Sequence, residues 1–121
     1  MSIKRLALSF KYALEVIHFA LSHNQTIQIQ FIIALLVIIA SLLFHVNPFE
    51  MGILGVMILL VITTEMINTA IEEMTNLITN EHKKEAKIAK DVSAGMVLLT
   101  AIGSIIVGFL VFLPHIVRLF R

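Results

Sequence analysis

The chain contains no cysteine among its 121 residues. Disulfide frameworks, zinc sites with thiolate ligands and cysteine nucleophiles are therefore excluded. Proline and glycine are also scarce, with two and five copies, and little of the chain is suited to irregular loops. Because no linker or low-complexity tract divides it, we predict a single domain over residues 1–121.

Charged side chains are scarce as well, at 14% of the residues, whereas 59% are hydrophobic and the mean hydropathy is +0.98. Soluble domains have a typical apolar share of about 45–50%. The composition therefore predicts an all-α integral membrane protein. The net charge of +1 favours no class of partner.

Two common sequence signals are missing. The first apolar stretch is broken by Lys11, Glu15, His18 and His23, so we expect no cleavable signal peptide. The phosphate-binding patterns GxxxxGK[ST] and GxGxxG of soluble nucleotide folds are not found. Any nucleotide site in this protein would have to lie between membrane helices.

Long apolar runs predict three transmembrane helices, since about 20 helical residues cross about 30 Å of hydrocarbon. We place these helices at residues 27–46, 50–78 and 92–113, with Pro114 ending the third. The middle helix exceeds one span and should project into the cytoplasm. Residues 79–91 are predicted to be a charged connector on that side.

Residues 2–22 are predicted to form an amphipathic helix, because apolar side chains recur there every three or four positions. It either lies on the membrane surface or packs against the other helices. Lysine and arginine are concentrated in this segment and in residues 79–91. By the positive-inside rule, both segments are expected on the cytoplasmic side.

A polar stripe marks the end of the second predicted span. Its members share one helix face, being spaced three, four, seven and eleven positions from the first: Glu65, Asn68, Thr69, Glu72 and Asn76. Ionisable residues at the edge of a bilayer indicate a functional site. Of two such carboxylates, one can hold a divalent cation and the other can act as a base, as phosphoryl transfer requires.

The third predicted span begins beside two lysines and an aspartate. Lys87 and Lys90 are suited to contacts with phosphate oxygens near a helix N-terminus, and Asp91 is either a helix cap or a metal ligand. Small residues inside this helix permit close packing of helices. We therefore expect a homo-oligomer with the polar stripes at its interfaces.

Two segments carry a resemblance to a known family. Residues 65–72 read EMINTAIE, and residues 89–98 read AKDVSAGMVL. They resemble the signature E-x-x-N-[ST]-A-I-E and A-K-D-x-x-[AS]-[AG]-x-V-L of the bacterial diacylglycerol kinase and undecaprenol kinase family. The resemblance extends over essentially the whole chain.

The resemblance implies a small homotrimeric lipid kinase of the bacterial inner membrane with active sites between its subunits. Such an enzyme transfers the γ-phosphate of Mg-ATP to the hydroxyl of a membrane lipid. Glu65 would be the general base, Glu72 would hold the Mg²⁺ that bridges the ATP phosphates, and Asn68 would position the substrate. The residues implied around the nucleotide are Glu72, Asn76, Glu81, Lys90 and Asp91.

Two positions depart from the family pattern. Ser22 stands where a second metal-binding glutamate is usual, and Asn76 stands where an aspartate is usual. Each change removes one negative charge from the expected site for metal and ATP. A non-catalytic member, or one of altered specificity, is therefore the alternative to an active kinase.

The lipid substrate is not decided by the motifs. The short chain and bare N-terminus resemble Gram-positive members, which favours undecaprenol over diacylglycerol. A third hypothesis is a proton-coupled transporter that uses Glu65 as its carrier. It is disfavoured by three spans instead of an inverted repeat, and by the place of the stripe at a helix end.

Overall fold

A computed structural model describes residues 2–121 as four helices, with no strand in this part of the chain. The helices are α1 (Ile3–His23), α2 (Gln25–Leu43), α3 (Pro48–Ile78) and α4 (Lys84–Leu119). By length and composition, α2, α3 and α4 are each able to cross a membrane. The all-α class and the three candidate spans are thereby confirmed.

The junction between α1 and α2 is a single residue, Asn24. Its backbone N–H donates to the carbonyl of Ala20 at the end of α1, and its side-chain Oδ1 accepts from the N–H of Ile27 at 3.1 Å. No residue of α1 is buried. The position of α1 on a membrane surface stays a prediction.

The turn before α3 is fixed by a reciprocal capping box. The side chain of Asn47 accepts from the N–H of Glu50 at 2.8 Å, and the Glu50 carboxylate accepts from the N–H of Asn47 at 3.2 Å. Pro48 follows at the first helical position, where its missing N–H costs nothing. These three residues explain why the chain re-enters a helix immediately after the turn.

Helix α3 is longer than a bilayer is thick. Its 31 residues extend about 46 Å at 1.5 Å per residue, against about 30 Å of hydrocarbon. The excess supports the predicted projection of its C-terminal end, which carries the polar stripe.

Helix α4 corrects two predictions. It begins at Lys84, so the predicted connector over residues 79–91 is too long. Lysine, alanine and glutamate are good helix formers, and hydropathy marks where a helix meets lipid instead of where it begins. Pro114 lies inside α4 and does not end it, since it removes one backbone hydrogen bond while its fixed φ remains helical.

The most extensive packing joins α3 to α4. Three contacts mark the shared face along its length. The Thr64 and Thr100 hydroxyls lie 3.0 Å apart, His115 Nε2 lies 3.4 Å from Glu50 Oε1, and Ser93 bonds to Asn68. Buried hydrophobic side chains are few: Ile27, Ala34, Leu54 and Val111. Polar contacts therefore occur along the whole length of the interface between α3 and α4.

Candidate active site

The polar stripe passes from a buried to an exposed environment along α3. Glu65 and Asn68 are each 8% exposed, because this part of α3 packs against α4. One and two turns later, Glu72 and Asn76 are exposed. The two glutamates therefore have different surroundings although they share one helix face, and they are suited to different tasks.

Asn68 links the stripe to α4. Its Oδ1 lies 2.6 Å from the hydroxyl of Ser93, a residue that is 1% exposed. Its amide Nδ2 donates to Glu72 Oε1 at 3.3 Å. Both ends of the Asn68 amide are thus engaged, and the Glu72 carboxylate is connected through it to α4.

Asn76 is hydrogen-bonded to Lys90 of α4. The Lys90 ammonium group donates to Asn76 Oδ1 at 2.8 Å, which brings together residues 14 positions apart. This contact places a cation one turn beyond Glu72. Because the acceptor is a neutral amide, the positive charge of Lys90 stays available to an anionic ligand.

The first two turns of α4 precede its apolar span and carry an ion pair. Lys87 Nζ lies 2.6 Å from Asp91 Oδ2, on the exposed surface. The hydrogen bond to Asp91, together with its negative charge, raises the pKa of Lys87 above its ordinary value. Lys87 is therefore a permanent cation near neutral pH.

The connector and the start of α4 form a hollow of about 490 Å³. Glu81, Lys90 and Asp91 line it together with Lys87, so three of the residues predicted around a nucleotide are brought together. Asn76 is joined to its edge through Lys90, whereas Glu72 bonds to Asn68 one turn earlier on α3. Glu65 lies about 10 Å from Glu72 along the axis of α3, toward the N-terminus of the helix.

Glu65 has a buried side chain, and no hydrogen-bond partner of its carboxylate is found within residues 2–121. The neighbouring Thr69 donates to the backbone carbonyl of Glu65 at 3.0 Å. Asn24, at the junction of α1 and α2, donates to Thr69 Oγ1 at 3.1 Å. This bond attaches the start of α2 to the stripe while the Glu65 carboxylate keeps its capacity to accept a proton.

Ser22 does not join the stripe. Its hydroxyl donates to the carbonyl of His18 at 2.8 Å, within α1. The residue of this segment that reaches α3 is Asn24 instead. The predicted loss of one carboxylate at position 22 is thus not offset by a contact of Ser22 with the site.

Sequence reasoning missed Ser93 and Asn24 as parts of this arrangement. Each bonds to a residue far away in sequence, Ser93 to Asn68 over 25 positions and Asn24 to Thr69 over 45. A signal existed for Ser93, since it is a small hydroxyl residue beside the lysine and aspartate of an otherwise apolar helix. Asn24 was visible only as a polar break.

The available ligands fit a Mg²⁺ ion that is bound together with phosphates. Within the described residues, no group of three His, Asp or Glu side chains is placed to hold a metal. The exposed Glu72 offers one carboxylate. Mg²⁺ is commonly held by one or two carboxylates, with substrate phosphates and water completing its octahedral shell. These residues fit an ion that arrives with phosphates and do not form a closed protein cage.

Residues 11–112 match the sequence model of the family described as prokaryotic diacylglycerol kinase. The chain belongs to this family. The match contains both signature segments and every residue of the arrangement above. The resemblance seen in the sequence is thereby confirmed.

Two curated relatives have different names within the diacylglycerol kinase family. The chain is 36% identical over 115 residues to a diacylglycerol kinase of Synechocystis sp., a match that covers 94% of this chain and 66% of the relative. It is 40% identical over 80 residues to an undecaprenol kinase of Bacillus subtilis, covering 66% of this chain and 65% of the relative. The matched part is about two thirds of the length of each relative.

Proposed function

We propose that this protein is an ATP-dependent lipid kinase that transfers the γ-phosphate of Mg-ATP to the hydroxyl of a membrane lipid. One observation carries the proposal. The packing of α3 against α4 sets the carboxylate stripe beside Lys90 and the charged hollow. Phosphoryl transfer needs a carboxylate that accepts the proton of the attacking hydroxyl and positive groups that bind the phosphates.

Glu65 is the general base in this proposal. The lipid hydroxyl oxygen attacks the γ-phosphorus, the bond from that phosphorus to the β,γ-bridging oxygen breaks, and the hydroxyl proton passes to the Glu65 carboxylate. The products are a lipid phosphate and ADP. The burial of Glu65 and its free carboxylate support this role, and Asn68 one turn away is suited to orient the acceptor.

The position of Glu65 along α3 also supports the proposal. From Pro48 to Glu65 the helix rises about 26 Å, and from Pro48 to Glu72 about 36 Å. With Pro48 at the outer edge of a hydrocarbon layer of about 30 Å, Glu65 lies just inside the opposite edge. A lipid hydroxyl is found at that depth, and Glu72 lies beyond it, where nucleotide and metal are found.

Glu72 would hold Mg²⁺ and the residues around the hollow would bind ATP. When bound, the ion neutralises charge on the phosphate oxygens. Lys90 is free to pair with a phosphate, because its contact Asn76 is uncharged. Glu81 and Asp91 line the same hollow, where they can accept hydrogen bonds from the nucleotide or approach the ion through water.

We further propose a homotrimer of multi-pass subunits in the inner membrane, with the N-terminus cytoplasmic, α1 on the membrane surface and active sites between subunits. A groove of about 360 Å³ between α2, α3 and α4 supports assembly. Gln30 lines it, and within residues 2–121 its buried Oε1 has no donor. The rest of the groove lining is almost entirely apolar, which suits packing against side chains of a neighbouring subunit.

The lipid acceptor is the remaining choice, and we favour undecaprenol over diacylglycerol. The test is an assay of purified protein in detergent with labelled ATP, Mg²⁺ and each lipid in turn. We expect labelled undecaprenyl phosphate to form faster than labelled phosphatidic acid. The reverse order would overturn the choice of lipid, and no labelling of either would overturn the kinase.

A further inference from the structure

Ser93 is the most deeply buried polar side chain beside the stripe, at 1% exposure. It belongs to α4, whereas the carboxylates belong to α3. Its hydroxyl has two acceptors within reach, Asn68 Oδ1 at 2.6 Å and the backbone carbonyl of Lys90 at 3.0 Å. A serine hydroxyl has one hydrogen to donate, so only one of these bonds is made at a time.

The choice between the two acceptors is settled by Glu72. An ionised carboxylate accepts hydrogen bonds and donates none. The Asn68 amide must therefore turn its NH₂ group to Glu72 Oε1, as found at 3.3 Å. Its oxygen then faces Ser93, which has to donate to it. The shorter of the two Ser93 distances is the one to Asn68, in agreement with this polarity.

We propose that Ser93 is a positioning residue for Glu72, and that it acts by fixing the orientation of the Asn68 amide. This inference rests on the proposed role of Glu72 in holding the metal that accompanies ATP. With the Ser93 hydroxyl present, Asn68 presents a donor to Glu72 and restrains its carboxylate. Without that hydroxyl, the amide is free to rotate by 180° and to present its oxygen, which repels the carboxylate.

The restraint on the Glu72 carboxylate is important because few other acidic side chains lie at this end of the stripe. Ser22 is turned to the backbone of α1, and Asn76 is a neutral contact of Lys90. Glu72 is then the only acidic side chain of the stripe at its exposed end. A metal site with one protein carboxylate depends strongly on the orientation of that carboxylate. Mutation of a residue that hydrogen-bonds to a metal ligand typically lowers metal affinity or activity about 10- to 100-fold.

The experiment compares Ser93→Ala with the wild-type protein and with a matched control, Thr100→Val. Like Ser93, Thr100 is a hydroxyl residue of α4 that hydrogen-bonds to a side chain of α3, in this case Thr64 at 3.0 Å. Thr100 is not part of the site. Two quantities are measured: the Mg²⁺ concentration for half-maximal lipid phosphorylation, separately from kcat, and Mn²⁺ binding by electron paramagnetic resonance with a non-hydrolysable ATP analogue.

We expect Ser93→Ala to raise the half-saturating Mg²⁺ concentration and to weaken Mn²⁺ binding about tenfold, while Thr100→Val leaves both within about twofold. In an Asn68→Ala background, Ser93→Ala should add no further weakening of Mn²⁺ binding, since Ser93 acts through Asn68. The inference is overturned by unchanged Mn²⁺ binding in Ser93→Ala, by an equal loss in Thr100→Val, or by a full additional loss in the Asn68→Ala background.

The two readouts separate this inference from the proposed function. A wild-type protein that phosphorylates no lipid, yet binds Mn²⁺ with the nucleotide analogue and loses that binding in Ser93→Ala, contradicts the kinase and supports the positioning role. A wild-type protein that phosphorylates lipid with an unchanged Mg²⁺ requirement in Ser93→Ala supports the kinase and contradicts the positioning role. A wild-type protein that binds no Mn²⁺ contradicts the positioning role directly.

Discussion

Glu65 and Glu72 are two turns apart on one face of α3, yet their surroundings differ. Glu65 is buried and its carboxylate is unpaired within the described residues, whereas Glu72 is exposed and bonded to Asn68. Burial suits a group that must take a proton, because the neutral form is the one favoured away from water. Exposure suits a group that meets a hydrated cation. The proposed division of roles thus agrees with the two environments.

The two missing acidic groups provide a test at the residue scale. We predict that the double variant Ser22→Glu, Asn76→Asp lowers the Mg²⁺ concentration needed for half-maximal activity. A unit charge about 8 Å from the divalent ion, at the dielectric constant of about 80 that suits an exposed site, contributes about 1 kcal/mol, or about fivefold. The measurement is a Mg²⁺ titration of lipid phosphorylation.

The single variants serve as the controls for this titration. Asn76→Asp alone should account for most of the change, because position 76 contacts Lys90, whereas the Ser22 hydroxyl is turned to α1. If the wild-type chain proves inactive and the double variant active, the chain is a non-catalytic family member and the proposed kinase is wrong.

At the scale of elements, the ends of the helices are set by a few polar residues. The start of α3 depends on the capping box of Asn47 and Glu50, and the same Glu50 carboxylate lies 3.4 Å from His115 of α4. Both side chains are largely buried, with 22% and 13% of their area exposed. This end of the bundle is about 22 Å from Glu65 along α3, so it contributes to stability and not to chemistry.

We predict that Glu50→Ala lowers the free energy of unfolding by about 1–2 kcal/mol, because it removes an N-terminal cap and a hydrogen bond between helices. Denaturant titration in detergent measures this change. The matched control is Glu15→Ala, at an exposed position of α1, which should stay within about 0.5 kcal/mol of the wild type. Equal losses in both variants would show that the Glu50 contacts contribute nothing specific.

The sequence predicted the elements unequally well. Apolar runs placed α2 and α3 closely. The start of α4 was missed by about two turns and its end was set too early, because hydropathy records the contact with lipid and not the hydrogen bonding of the helix. The stripe was predictable because its spacing is local, whereas the Ser93 and Asn24 contacts depend on how α1, α2 and α4 pack, which no local pattern encodes.

At the scale of the whole molecule, one chain buries very little. Most large hydrophobic side chains of the three candidate spans are exposed in the single subunit, as expected where lipid or other subunits cover them. The lysines around residues 83–90 lie at one end of the bundle with the stripe, and the turn at residues 45–49 lies at the other and has no lysine or arginine. The proposed orientation of the protein in the membrane, with the lysine-rich end in the cytoplasm, rests on that asymmetry.

The absence of cysteine makes the orientation directly testable. We predict that a membrane-impermeant thiol reagent added to intact cells labels a Phe49→Cys variant and leaves a Lys83→Cys variant unlabelled. Both positions are exposed and lie at opposite ends of α3 and its connector. Labelling of the Lys83→Cys variant alone would reverse the proposed topology, and permeabilised cells, in which both should react, provide the control.

We propose that the α3 stripe catalyses phosphoryl transfer to a lipid hydroxyl, with Glu65 as the base. The most direct test of this proposal is the rate of lipid phosphate formation from labelled ATP by purified wild-type protein and by Glu65→Gln, which preserves size and removes the basic carboxylate. We predict labelled lipid with the wild type and a loss of kcat of at least about 100-fold in the variant, with Mn²⁺ binding unchanged. A Glu65→Gln variant that retains the wild-type kcat would show that Glu65 is not the base.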